Sequence, residues 1–104
     1  MGESEMNKPR ALVHESLTEA QAFYLGQLVE ESNEVAHRAM KCILWGLEDS
    51  HPKVGVDNRT ALSKEIGNVE HTLVKLSEHY CTDEMYVYEG VKEKKDNLKK
   101  YHNR

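Results

Sequence analysis

Three stretches of the chain place apolar residues at three- and four-residue intervals, and a polar segment carrying glycine and proline separates the first two. In the first stretch Leu25, Leu28, Val29, Val35, Ala36, Ala39, Ile43 and Leu47 fall on one side of a helix. Just ahead, Ser16-Leu17-Thr18-Glu19 reads as a capping box, with Ser16 at the N-cap and Glu19 at N3. The first helix is therefore expected to start there and run to about Trp45, with Gly26 as a point where it could bend. The segment from Gly46 to Asp57 has no period and predicts a loop of roughly twelve residues, longer than most helix connections; such loops either cover a site or simply connect. Asp57 or Asn58 caps a second helix to about Glu78, whose apolar side is Leu62, Ile66, Val69, Leu73 and Leu76. Cys81-Thr82-Asp83-Glu84 restarts the chain, with Thr82 as N-cap and acids in the first turn, where the helix dipole favours them. The third helix carries Met85, Tyr88, Val91, Leu98 and Tyr101. Nothing alternates with period two over a useful length. The pattern predicts an all-α helical bundle of three main helices per chain, completed by oligomerisation. Residues 1–15, polar and interrupted by Pro9, read as a mobile lead-in to a single helical domain over residues 16–104.

Composition sharpens this. With 104 residues, 38% apolar and 31% charged, the chain fits one domain with a lean core, and burying apolar surface between copies is the expected remedy. The net charge of −4 gives no sign of nucleic-acid binding. Positive charge nevertheless gathers at the end: Lys92, Lys94, Lys95, Lys99, Lys100 and Arg104 stand against only Glu93 and Asp96. That end suits either a phosphate or a solvated face of ion pairs. Cys42 and Cys81 have no zinc or redox spacing and read as reduced thiols of a cytoplasmic protein. No apolar run is long enough to span a membrane and no signal peptide is expected. Met6 stands where a myristoylation motif starting at Gly2 needs Ser or Thr.

The carboxylates Glu30, Glu31 and Glu34 raise the chemical question. At about 100° per residue, Glu31 and Glu34 lie about 60° apart, on a stripe shared with Gln27, Arg38, Lys41 and Trp45. Val35 and Leu28 adjoin that stripe, so the pair borders the apolar face, while Glu30 turns toward solvent. In the second helix Glu65 and Asn68 repeat the three-residue spacing beside Leu62, Ile66, Val69 and Leu73. If the two apolar faces pack antiparallel, the two oxygen pairs meet. Three carboxylates and an amide carbonyl repel unless neutralised, and an all-oxygen set suits Mg²⁺ or Mn²⁺ rather than zinc. Spacing alone also fits an ordinary acidic surface. A second metal reading starts from Glu34-Val-Ala-His37, the Glu-x-x-His step of di-iron bundles. It lacks its counterpart, because Asn68-Val-Glu-His71 has asparagine in the glutamate position. His37 and His71 read instead as surface or supporting histidines.

"LVEESNEVAHRAMKCILWGL" followed by "NRTALSKEIGNVEHTLVKL" resembles the MazG-like all-α nucleoside triphosphate pyrophosphohydrolases, in their short phage and bacterial form. The family pattern EExxE, an intervening stretch, then ExxD is matched by Glu30-Glu31-Ser32-Asn33-Glu34 and Glu65-Ile66-Gly67-Asn68, with a gap on the long side. The likeness covers roughly Leu17 to Leu76, and "KKDNLKKY", Lys94 to Tyr101, is similar to the last helix of the family. It implies a cytoplasmic enzyme, in the host cytoplasm if phage-encoded, with active sites formed in a homodimer or homotetramer. The implied reaction is hydrolysis of a (deoxy)nucleoside triphosphate to monophosphate and pyrophosphate, with no nucleic-acid or membrane partner.

By position, the resemblance makes Glu31, Glu34, Glu65 and Asn68 the metal ligands for Mg²⁺, or Mn²⁺. Glu30, Glu31, Glu34 and Glu65 form the catalytic set, with Glu30 or a neighbour orienting or deprotonating the water. Lys41, Lys95, Asn97 and Lys100 become phosphate contacts. Trp45, Tyr24 or Tyr101 can stack on the base or simply pack. Asn68 stands where the family has aspartate, offering one neutral oxygen for a charged pair. That leaves a working enzyme with a looser metal, a changed metal preference, or a module that binds nucleotide or protein without turnover.

Overall fold

A computed structural model of the chain describes residues 13–50 and 55–102. Most of the expected lead-in, residues 51–54 of the loop, and Arg104 lie outside the described residues. Three helices follow one another: α1 (Glu19–Trp45), α2 (Asn58–Glu78) and α3 (Glu84–His102). No strand occurs among the described residues; Ser50 and Asp57 form one isolated antiparallel bridge. The architecture is all-α, and no helix among the described residues is long and apolar enough to cross a membrane.

Local chemistry sets the ends, in two cases one or two residues away from the expected cap. Ser16 does not cap α1. Its backbone N–H donates to His14 Nδ1 (3.1 Å) and its Oγ lies 2.8 Å from the same nitrogen, which holds it in the preceding turn. Thr18 is the cap: its hydroxyl accepts from the Gln21 backbone N–H (3.0 Å), and Gln21 Oε1 accepts from the Thr18 backbone N–H (3.0 Å). Glutamine closes the box as well as glutamate does, since only an acceptor oxygen is needed. α1 continues without a break through Gly26. Asp57 caps α2 by accepting from Thr60 N–H (2.8 Å), and the Thr60 hydroxyl together with this N–H holds its carboxyl below the ordinary carboxylate value. At α3 the accepting side chain is Asp83, which takes the Met85 N–H (3.0 Å); Thr82 donates to the Glu84 carboxylate instead (3.3 Å). α2 ends in a Schellman-type turn, with Cys81 N–H donating to Leu76 O (2.8 Å) and Tyr80 N–H to Ser77 O (3.1 Å). Tyr80 holds the left-handed position there at φ 61°, a conformation that costs a non-glycine residue about 1–2 kcal/mol.

α1 and α2 pack antiparallel, fixed at both ends. At one end Gln21 Nε2 donates to His79 O (2.8 Å), and the Tyr24 ring stacks on the His79 imidazole with centroids 5.2 Å apart. At the other, Asn58 Nδ2 donates to Gly46 O (2.9 Å), Asn58 N–H to Asp49 O (2.8 Å) and Arg59 N–H to Leu47 O (2.9 Å). The loop is thus tied down where it leaves α1 and where it enters α2. Gly46 supplies the turn, with φ 93°, outside the range most side chains tolerate.

The seam between these helices is narrow. Among the described residues Leu76, Ala61 and Thr72 are buried, while Leu25, Leu28, Val35, Ala39, Leu62 and Val69 are half-buried. The rest of the expected apolar face stays open: Ile43 is 75% exposed, and Val29, Leu47, Ile66 and Leu73 are also exposed. Two helices bury only the stripe between them, so residues on the flanks of each apolar face find no cover in the same chain. α3 makes no extensive contact with either helix. The radius of gyration is 18.0 Å, against about 13 Å for a compact domain of this length.

The double use of Gln21 makes the start of α1 a test of the hairpin. Thr18→Ala should lower stability by about 1 kcal/mol, the usual cost of losing such a cap, and thermal denaturation followed by circular dichroism measures it. An unchanged midpoint would show that the cap is not engaged.

Candidate metal and catalytic site

The site follows from the register. Gln21 meets His79 and Cys42 lies against Asn58, its Sγ 3.7 Å from the Asn58 carbonyl oxygen. Glu31 lies ten residues after Gln21, and Asn68 eleven residues before His79. At 1.5 Å per residue both stand about 15 Å from the same end of the hairpin. Glu31 of α1 therefore arrives opposite Glu65 and Asn68 of α2.

Glu31 is half-buried, and its Oε2 is fully buried with no hydrogen-bond partner. Its carboxyl is held above the ordinary value. Burial is the largest cause, followed by the charge of Glu65 beside it, a hydrogen-bonding arrangement with Glu65, and the charge of Glu30; the Asn68 amide pulls the other way. Asn68 Nδ2 also donates a long hydrogen bond to Glu65 Oε2 (3.5 Å). One turn on, buried Thr72 donates its hydroxyl to Asn68 O (3.1 Å), fixing the backbone that carries the amide. Two carboxylates and one amide thus converge across the helix pair.

Other expected residues lie farther out. Glu34 is exposed and does not join Glu31 and Glu65; Glu30 is exposed as well. No group of three or more His, Cys, Asp or Glu side chains among the described residues is close enough to hold a metal. The oxygen set therefore consists of Glu31, Glu65 and Asn68. His37 and His71 are exposed, away from the convergence. Lys41 is half-buried on α1, about 15 Å along the axis from Glu31. Trp45 is 66% exposed and about 21 Å along it. Lys95, Asn97, Lys100 and Tyr101 are exposed on α3, which does not cover the α1–α2 groove. Tyr24 is engaged at the hairpin end, between His79 and the edge of Phe23.

Arg38 gains an interest that the sequence did not give it. It is half-buried, with its Nε buried and unpartnered, although Glu34 sits four residues before it in the spacing that favours an ion pair. The available signal is the seven-residue step from Glu31, which sets Arg38 almost directly above it on the helix.

Comparison of the chain with models of known protein families, with curated proteins and with solved structures finds no match in any of the three.

The raised pKa of Glu31 has a definite sign in stability. The unfolded chain releases this proton near 4.5, while the folded chain keeps it to higher pH. The stabilising contribution is fully present below 4.5 and is lost as pH rises through the folded-state value. In metal-free protein, Glu31→Gln should therefore melt higher than the wild type at pH 8, with the gap narrowing toward pH 4. A gap independent of pH would show that Glu31 is not under strain.

Proposed function

We propose that this chain is a MazG-like pyrophosphohydrolase that converts a (deoxy)nucleoside triphosphate to monophosphate and pyrophosphate, acting in the cytoplasm as a homodimer or homotetramer. The observation that carries the reading is the meeting of Glu31 and Glu65 across α1 and α2, with a buried Glu31 oxygen that no donor satisfies. Like charges pressed together in a partly desolvated seam weaken an empty protein. Their retention makes sense if a cation belongs there.

The donor set fits Mg²⁺ or Mn²⁺. Glu31, Glu65 and the Asn68 carbonyl would hold it, and such a cation takes one or two carboxylates and leaves its other positions to water and phosphate oxygens. Bound there, it supplies positive charge against both the carboxylates and the triphosphate. The chain's own residues do the rest. Glu30 or Glu34 accepts a proton from the water whose oxygen bonds to the α-phosphorus. The bond from that phosphorus to the bridging oxygen breaks, and pyrophosphate leaves with the electron pair. Lys41, Lys95, Asn97 and Lys100 offset charge on the departing pyrophosphate, and Trp45 and Tyr101 offer ring faces to the base. Lys41, Trp45 and the α3 residues lie away from the carboxylates of their own chain, so in this reading a second copy supplies them.

One contact favours a second reading. Asn68 donates an N–H to Glu65, so the amide itself offsets part of the charge that a cation would neutralise. On that basis the chain is a non-catalytic helical module that binds nucleotide or protein.

Release of pyrophosphate from a panel of dNTPs and NTPs with Mg²⁺ or Mn²⁺ tests the enzyme. Glu31→Gln or Glu65→Gln should abolish release while the helical circular dichroism signal persists; no pyrophosphate from any nucleotide with either metal would overturn the catalytic reading. Asn68→Asp separates the two readings. A weakened catalytic site should gain metal affinity and turnover together, measured by calorimetry and pyrophosphate release. A non-catalytic module should show no turnover and no combined thermal shift with Mg²⁺ and nucleotide.

A further inference from the structure

Helix α3 has no cover in its own chain. Every residue from Glu84 to Tyr101 is exposed, including Val87, Tyr88, Val91 and Leu98. In proteins a helix draws most of its stability from packing its apolar face, and this 19-residue helix has little of that face packed in its own chain. Glu84, Val87, Val91, Lys94 and Leu98 follow alternating steps of three and four, the spacing of a helix that packs along a partner helix. The charges on this stripe are divided: Glu84 lies at its start and Lys94 in its second half.

We propose that α3 pairs antiparallel with α3 of a second copy of this chain, crossing next to Gly90. In the register that sets Val87 against Val91 of the second copy, Glu84 faces Lys94 and the two-fold falls at Glu89, so Gly90 of each copy lies one residue from the crossing. A parallel pair instead aligns acid with acid and lysine with lysine. Gly90 has no role within its own chain: a Cβ there meets nothing within 4 Å, and glycine in a helix interior costs about 1 kcal/mol relative to alanine. A close helix crossing uses the missing side chain. The same register carries Leu98 of the second copy beyond the start of α3, toward the open notch where α3 leaves α2. Leu73, Val74 and Val87 line that notch together with Glu78 and Glu84, an apolar floor with an acidic rim. Leu98 with its flanking lysines complements both. Two-fold symmetry makes each contact twice.

This pairing does not rest on the catalytic reading, and its test reads association alone. In a Cys42→Ser, Cys81→Ser background, Glu84→Cys and Lys94→Cys proteins are mixed and treated with a short bis-maleimide. The mixture should cross-link to dimer several-fold more than either protein alone, and more than Leu98→Cys alone. Sedimentation equilibrium supplies the second measurement. Gly90→Leu should weaken the dimer by about tenfold or more by overfilling the crossing, while its helix content stays equal or rises. Preferential cross-linking of Leu98→Cys with itself, a Gly90→Leu dimer as tight as the wild type, or a wild-type chain that is monomeric at every concentration would each overturn the proposal.

Discussion

The antiparallel register of α1 on α2 is the constraint on which the remaining features depend. Polar contacts at the two ends fix it: Gln21 on the His79 carbonyl, and Asn58 on the Gly46 and Asp49 carbonyls. Shifting α2 along α1 by one residue would break both ends at once and rotate the seam by about 100°. With the ends fixed, neither Glu31 nor Glu65 can move away along the helix axis, and their carboxylates are held at one level of the seam. The same register exposes Ile43 and Ile66, because a hairpin of two helices has one shared stripe.

Holding Glu31 beside Glu65 works against stability, and the surroundings relieve it only in part. Burial and the neighbouring charge favour the protonated form of Glu31, while the Asn68 amide favours the ionised form. At 3.5 Å the Asn68–Glu65 hydrogen bond is at the long limit, and Glu31 Oε2 remains without a donor. An aspartate at 68 would remove that amide donor and add a third negative charge. Asn68 therefore suits a groove that is stable when empty, whereas aspartate suits one that is stable only when filled. The two proposed readings part at this one side chain.

Much of this was legible in the sequence because helical periodicity is a strong local signal. Three helices, and ends near Trp45 for α1 and Glu78 for α2, follow from spacing; the opposition of Glu31 to Glu65 and Asn68 needed the further condition that the two apolar faces pack antiparallel. The caps were harder, since several side chains near each start can accept the same hydrogen bond. Ser16 and Thr18 compete ahead of α1, and the neighbouring His14 decides by engaging Ser16. Thr82 and Asp83 compete ahead of α3, where the carboxylate takes the backbone N–H. Glu34 shows another limit. A three-residue step places two side chains on neighbouring stripes but not at equal depth, and Glu34 falls on the exposed side of the border. The orphaned Arg38 nitrogen is invisible in sequence, because it depends on what the opposite helix fails to offer.

The exposure of α3 and the incompleteness of the groove share one physical origin. A chain with 38% apolar residues has enough to seal one helix pair but not to hold a third helix against it. The lysines of α3 are therefore held away from Glu31 and Glu65 by the same shortage of core that leaves Val87, Val91 and Leu98 bare. Folding them back within one chain would set basic residues against the acidic groove but leave the outer faces of α1 and α2 uncovered. Association covers more apolar surface with the same side chains, because each exposed stripe meets another. Under the proposed association, positive charge from a second copy and cover for the exposed apolar stripes would arrive together, which would couple affinity for an anionic ligand to the association of copies.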